Sequence, residues 1–392
     1  MSRPPLEVAD IFRACGAQYR QTHRCSPEQL AVMDAIEICR TAELGGRVEK
    51  CDQCGHRAIL YNSCRNRHCP KCGWLARMRW LEERQAQLLP VGYFHVVFTV
   101  PEQIVPLALQ NKRVVYNILF AAVSQTLLTI AADPKHLGAL IGFLAVLHTW
   151  GQALLGHPHV HCVVPAGGVS QDGSRWICPK GKRFFLPIGV LSKMFRGKFL
   201  TMLKQALTAG KLKFHGSLAP FNDARKLSQY LRPLYRRNWV VYCKAPFGSP
   251  EQVLKYLGRY THRIAITNDR LLALQDNTVS FSYKDYRDGS KIKSMTLDAD
   301  EFIRRFLLHV LPQRFVRIRH YGFLANARRE KHLDRCRRLL DVAPSDPLPQ
   351  QDWKERYYSL TGQPVDLCPC CKTGRMIQIE ILAPVAPLID SS

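Results

Sequence analysis

Hydrophobic and polar positions change their period several times along the chain, and each change marks an element. Residues 26–40, SPEQLAVMDAIEICR, begin with a serine, a proline and a glutamine three places after the serine. The serine oxygen can accept an orphan backbone N–H, the glutamine can answer the serine N–H, and proline suits the first helical position. A helix therefore starts at Ser26, and the whole stretch to about Arg40 reads as helical. A basic helix follows from about Trp74 to Leu89, closed by Pro90.

From Tyr93 the texture turns β-branched and aromatic, and YFHVVFTVP predicts a strand ending at Pro101. Helical segments continue to about Ala132. Residues 141–149 and 159–165 are two further apolar runs separated by a short glycine- and proline-containing turn, which predicts an antiparallel hairpin. Residues 239–244 form another strand, and Ser249-Pro250-Glu251-Gln252 repeats the capping signature at the start of a helix through about Tyr260. IAITN, LLALQ, TVSFSYKDY and KIKSMTL read as strands broken by turn signals, and DADEFIRRFLLHVLP as a helix stopped by Pro312. Antiparallel strands interleaved with helices define an α+β fold rather than a βαβ repeat. The tail beyond about Ala343, proline-rich in places, is expected to be peripheral.

Charge narrows the class of partner. Lys and Arg number 56 against 31 acidic residues, a net charge of +25. Such an excess points to a polyanion, either nucleic acid or an anionic membrane. No apolar run reads as reaching the roughly 18–20 residues of a membrane span. The longest candidate, 137–147, is bracketed by His136 and His148, and the start MSRPPLEVAD has no secretory texture. Cytoplasmic, DNA- or RNA-facing work with no membrane partner is expected.

The fifteen cysteines cluster in short-spaced pairs, a metal-binding rather than a cross-linking pattern. Cys51-x2-Cys54 and Cys69-Pro-Lys-Cys72 are separated by 14 residues and are expected to close one tetrahedral zinc shell. Glycine after each pair permits the tight turn a knuckle needs. Arg65, Arg67, Lys71, Arg77, Arg79 and Arg84 favour DNA contact by that scaffold, and Cys64, His56 and His68 are spare potential ligands. Cys368-Pro-Cys-Cys371 is half a knuckle with no second half after it. The remaining cysteines, Cys162 included, read as small buried residues.

His157-Pro-His159-Val-His161 opens a strand, and residues two apart on a strand share a face, so His159 and His161 can hold one metal ion. The third ligand is expected from the preceding strand: Gln152, with His148 as the alternative of the same parity. Mg²⁺ or Mn²⁺ in such an open site would polarise a phosphate. Tyr256 and Tyr260 are four apart and share a helix face. A tyrosine nucleophile makes a covalent phosphotyrosine that conserves the bond energy for rejoining. Arg259 and Arg263 are suited to holding phosphates there. Between Arg314 and Arg338 the chain is strongly basic, and Arg317, Arg319, Arg328 and Arg329 interleave with His320, Tyr321 and Phe323. Charge with aromatics suits a groove for single-stranded nucleic acid.

The motifs NSCRNRHCPKC (62–72), HTWGQ…HPHVHCVVPAGG (148–168), KYLGRYTHRIAIT (255–267) and RIRHYGFLANARR (317–329) occur in that order. In this order the chain resembles the IS91-like transposases of the HUH endonuclease superfamily, in their two-tyrosine form, over nearly its whole length. The resemblance implies an antiparallel-sheet HUH nuclease domain with an N-terminal zinc-binding module and helical segments. It also implies rolling-circle-like transfer of single-stranded DNA through a 5′-phosphotyrosine, with element ends and target DNA as substrates and unwinding left to a host helicase or replication machinery. The expected organisation is 1–90 for the helical zinc module, 91–312 for the catalytic domain and 313–392 for the basic segment and tail. Competing readings are a replication initiator or relaxase of the same chemistry, and a zinc-dependent DNA-binding regulator without catalysis.

Overall fold

The computed structural model describes residues 5–72, 74–181, 186–247, 252–253, 258, 265–286, 288–343 and 352–385. The chain compacts into two units: one from residues 1–76, 264–310 and 346–392, the other from 77–263 and 311–345. These boundaries differ from the contiguous segments 1–90, 91–312 and 313–392, because two late stretches of chain return to the N-terminal module.

In the first unit the helix Pro27–Glu37 starts as its sequence dictates: Ser26 Oγ accepts from Gln29 N, and Gln29 Oε1 accepts from Ser26 N at 2.9 Å. It packs with the helix Val8–Thr22, which also meets the helix Ala299–Leu308. Phe12 and Phe306 meet edge to face at 5.3 Å among buried Ile11, Phe302 and Ile303. Two three-stranded antiparallel sheets complete the unit. One is a meander of Leu271–Gln275, Thr278–Asp285 and Lys291–Asp298. Its first turn, Asp276-Asn277, has φ of +47° and +58°, the conformation that matches hairpin twist. The other holds Gly46–Cys51 between Arg57–Tyr61 and Met376–Leu382.

Two expectations fail in this unit. IAITN is not a strand: described residues 265–267 are irregular and lead into the short 3-10 turn Asn268–Arg270. There Asn268 is buried and its Oδ1 accepts from Val8 N, one of the orphan donors at a helix start. The tail is not peripheral either. Its described part holds the helix Trp353–Thr361, capped by Asp352, and the Met376–Leu382 strand that pairs with Gly46–Cys51.

The second unit is built on a five-stranded antiparallel sheet: β1 (Tyr93–Thr99), β2 (Gly142–Trp150), β3 (Gly156–Pro165), β4 (Val241–Phe247) and β5 (Ile318–Gly322). Their order is β5-β2-β3-β1-β4. Side chains alternate between faces. Phe94, Phe98, Phe143, Leu147, Val160 and Val164 point into the main core, where the helices Lys112–Ala132 and Ile188–Thr208 pack together and against the sheet. Lys112–Ala132 is long and apolar enough to cross a membrane, a length of apolar helix the sequence reading did not find. Here it is a core helix, with Tyr116, Leu119, Phe120, Val123 and Leu127 fully covered.

Lys71 sits beside Cys72 but does not face solvent or DNA. Its ammonium lies 2.6 Å from Glu7 Oε2, with both side chains under 10% exposed. Removing one partner strands the other charge in a low dielectric. Lys71→Ala is expected to lower unfolding stability by about 3–5 kcal/mol, and Glu7→Leu/Lys71→Leu by clearly less, as read from urea melts.

Candidate functional site

The register of the sheet builds the site. On β2 and β3, His148 lies directly opposite His159, and Val146 opposite His161. All three histidines therefore share the face away from the main core. One ring nitrogen from each lies within 4.8 Å of the others. The ring centroids of His148 and His161 are 4.4 Å apart and those of His159 and His161 are 4.8 Å apart. His148 and His161 are buried, and His159 is half-buried. Gln152 falls in the turn after β2, beyond a register shift between His148 and Trp150. The parity that would join it to His148 on a regular strand does not extend that far.

Hydrogen bonding fixes which nitrogens are available. His159 Nδ1 lies 2.6 Å from the His157 carbonyl, which can only accept, so Nδ1 carries the proton and Nε2 keeps its lone pair. His161 Nδ1 lies 2.8 Å from His95 Nε2, with the two rings nearly parallel. His95 stands opposite Val163 on β1, so it meets His161 along the diagonal. Burial, helped by Lys244 and His159, pushes the His95 imidazole down to about 3, so it is neutral. No spacing rule singles out His95, because only strand pairing brings it to His161.

The same face continues into Leu144, Val146, Val163 and Tyr93, which form a second cluster with buried Val253. A Cβ at Gly258 would meet Leu81 at 3.0 Å. Val253 and Gly258 flank Tyr256 in sequence. Tyr256, Tyr260, Arg259 and Arg263, with most of the capping signature at 249–252, lie outside the described residues.

The cysteines group differently from the spacing-based expectation. The knuckles Cys51/Cys54 and Cys69/Cys72 do not share a site. Cys69 and Cys72 join Cys39 and Cys64, and Cys51 and Cys54 join Cys368 and Cys371. In the first group Cys72 Sγ is 3.5 Å from both Cys39 Sγ and Cys64 Sγ. Hydrogen bonds from Cys39, Cys64 and Cys69 hold the Cys72 thiol below its usual range. Cys64 was legible as a spare ligand. Cys39, at the end of a helix, carried no spacing signal.

The basic residues divide in two. Arg65, Arg67, Arg314, Arg328, Lys331 and Arg338 are exposed. Others are already engaged: Arg319 bonds Asn117 at 2.6 Å and covers the Phe120 ring, and Arg337 is buried with a bond to the Ala86 carbonyl. Arg317, half-buried, precedes β5 and offers its carbonyl to Leu147 N. Arg84 and Arg329 both donate to His320 Nε2, at 3.2 and 3.3 Å. Much of the basic stretch thus binds its own unit together.

Comparison with known proteins agrees with this picture. Residues 142–331, which include the histidine strands, match a family described as "Putative transposase", and residues 11–100 match a transposase zinc-binding domain. A protein of Sinorhizobium fredii named "Putative transposase y4qJ" is 57% identical, over 97% of this chain and 96% of its own. The transposase for insertion sequence element IS801 of Pseudomonas savastanoi pv. phaseolicola is 28% identical, over 88% of this chain and 83% of its own. No solved structure matches. A sheet with a metal-competent histidine face, accompanied by a cysteine-rich module, is thus a transposase architecture. The chain belongs to the IS91-like transposase family.

Burial, with Arg329 and Arg84 alongside, pushes His320 down to about 3. The unfolded chain then takes up the proton first as pH falls below its ordinary value of about 6.5. His320 should therefore cost stability progressively between about pH 6.5 and pH 3, and nothing above. Urea midpoints at about pH 7 and pH 4.5 should differ less in His320→Gln than in the unmodified chain.

Proposed function

We propose that this transposase nicks and rejoins single-stranded DNA through a 5′-phosphotyrosine, with His148, His159 and His161 as ligands of a divalent cation. The observation that carries this reading is the strand register, which gathers three imidazoles on one face with one ring nitrogen of each within 4.8 Å of the others. Mg²⁺ or Mn²⁺ bound there would polarise the scissile phosphate. Gln152 stays a candidate for a further ligand from the turn.

The protein's own groups divide the remaining work. The His157 carbonyl and His95 orient two of the ligand rings from behind. The phenol oxygen of Tyr256 or Tyr260 attacks phosphorus and the P–O3′ bond breaks, leaving a 5′-phosphotyrosine and a 3′-hydroxyl that gains a proton. The second tyrosine can cleave a further strand in the same way; a 3′-hydroxyl then attacks the phosphotyrosine, re-forming a P–O3′ bond and releasing the tyrosine phenol, so no nucleotide needs to be hydrolysed. Val253, three residues before Tyr256, supports this assignment, because it packs on the face that carries the histidines. Arg259 and Arg263 beside the tyrosines, with exposed Arg65, Arg67 and Arg328, would contact phosphates; Arg317, Arg319 and Arg329 would border that path. The substrates are element ends and target DNA in the bacterial cytoplasm, with a host helicase supplying single strands.

The test is incubation with Mg²⁺ and labelled single-stranded DNA carrying an element end. A denaturation-resistant adduct is expected, absent in Tyr256→Phe/Tyr260→Phe and in His159→Ala/His161→Ala. His95→Ala should weaken the metal dependence by about 10–100-fold while leaving saturating activity. An adduct that survives loss of both tyrosines, or cleavage with no adduct, would sink the proposal. Tight binding to DNA that stays intact would favour a regulator.

A further inference from the structure

Four cysteines outside the Cys39/Cys64/Cys69/Cys72 group form a site of their own. Cys51 and Cys54 stand at one end of the Gly46–Cys51 strand, and Cys368 and Cys371 just before its partner Met376–Leu382. Four sulfurs about 2.3 Å from one zinc in a tetrahedron lie about 3.8 Å apart. Cys51 Sγ is 3.7 Å from Cys371 Sγ, and Cys54 Sγ is 3.7 Å from Cys368 Sγ. The spacing is that of a tetrathiolate zinc shell, not of a disulfide, whose sulfurs are about 2.05 Å apart.

The two halves are built alike, although more than three hundred residues of chain separate them. In the first, Gln53 N donates to Cys51 Sγ and Gly55 N to the Cys51 carbonyl. In the second, Cys370 N donates to Cys368 Sγ and Lys372 N to the Cys368 carbonyl. The residue after each pair turns left-handed: Gly55 at φ +72° and Lys372 at φ +62°. N–H groups aimed at sulfur stabilise thiolates, the form a cation binds. The halves are also latched to each other. Asp52 N donates to the Arg375 carbonyl, Arg375 N donates to Asp52 Oδ1 at 2.8 Å, and Thr373 Oγ1 donates to Gln53 Oε1. A Cβ on Gly374 would come within 2.4 Å of Cys51 Sγ, so only glycine lets the second turn close on the first sulfur.

We propose that the chain holds a second zinc ion, bound by Cys51, Cys54, Cys368 and Cys371, separate from the Cys39/Cys64/Cys69/Cys72 group. Cys368 and Cys371 lie far outside the residues matched to the zinc-binding domain, 11–100. The second ion closes the N-terminal module with a clasp from the C-terminal segment.

The test is metal content of the full chain carrying His159→Ala/His161→Ala, so that the histidine face contributes none. Two zinc ions per chain are expected, with an all-sulfur shell by X-ray absorption. One ion, or a shell with substantial nitrogen or oxygen, would overturn the proposal without any cysteine being changed. Adding Cys368→Ser/Cys371→Ser should then remove one ion and expose the C-terminal segment to protease. Cys370→Ser, an exposed cysteine outside the group, should keep both. Retention of two ions in Cys368→Ser/Cys371→Ser would also refute the site.

Discussion

The antiparallel register between β2 and β3 is the constraint on which the rest of the catalytic unit depends. A strand has a period of two, so one pairing decides both faces at once. With His148 set against His159, Phe143, Leu147, Val160 and Val164 enter the core and the imidazoles stay off it. A slip of one residue would turn the histidines into the main core and Phe143 out of it. The apolar alternation that makes the core is therefore also what holds the imidazoles together. The helices Lys112–Ala132 and Ile188–Thr208 enforce that register from the other side.

How much of this was legible in the sequence follows from how local each signal is. The Ser26 cap, the β2–β3 hairpin and the shared face of His159 and His161 depend on neighbours within a few residues, and all appear as read. The choice between Gln152 and His148 depended on register, which a bulge after His148 alters. His95 reaches His161 only through pairing of β1 with β3. The cysteine groups were misread for the same reason. Spacing shows that Cys51 and Cys54 form half a shell but cannot show that the other half waits near residue 370.

Charge was the least transferable signal. An excess of arginine identifies the partner class, but not which arginines meet it. Lys71 is consumed by Glu7, Arg337 by a backbone carbonyl, and Arg84 and Arg329 by a buried imidazole. Arginine's planar fork makes it as suitable for binding one's own backbone as for binding phosphate. Arg65, Arg67, Arg314 and Arg328, by contrast, are exposed.

The Gly46–Cys51 strand has one partner nearby and another from the last described stretch of the chain, Met376–Leu382. On the ribosome, that second edge cannot be filled until translation has passed Leu382. Any product stopped early, by a frameshift or a nonsense codon, leaves its N-terminal module with an open sheet edge, ready for proteolysis or aggregation. Survival of the N-terminal module thus depends on a segment that lies more than three hundred residues further along the chain.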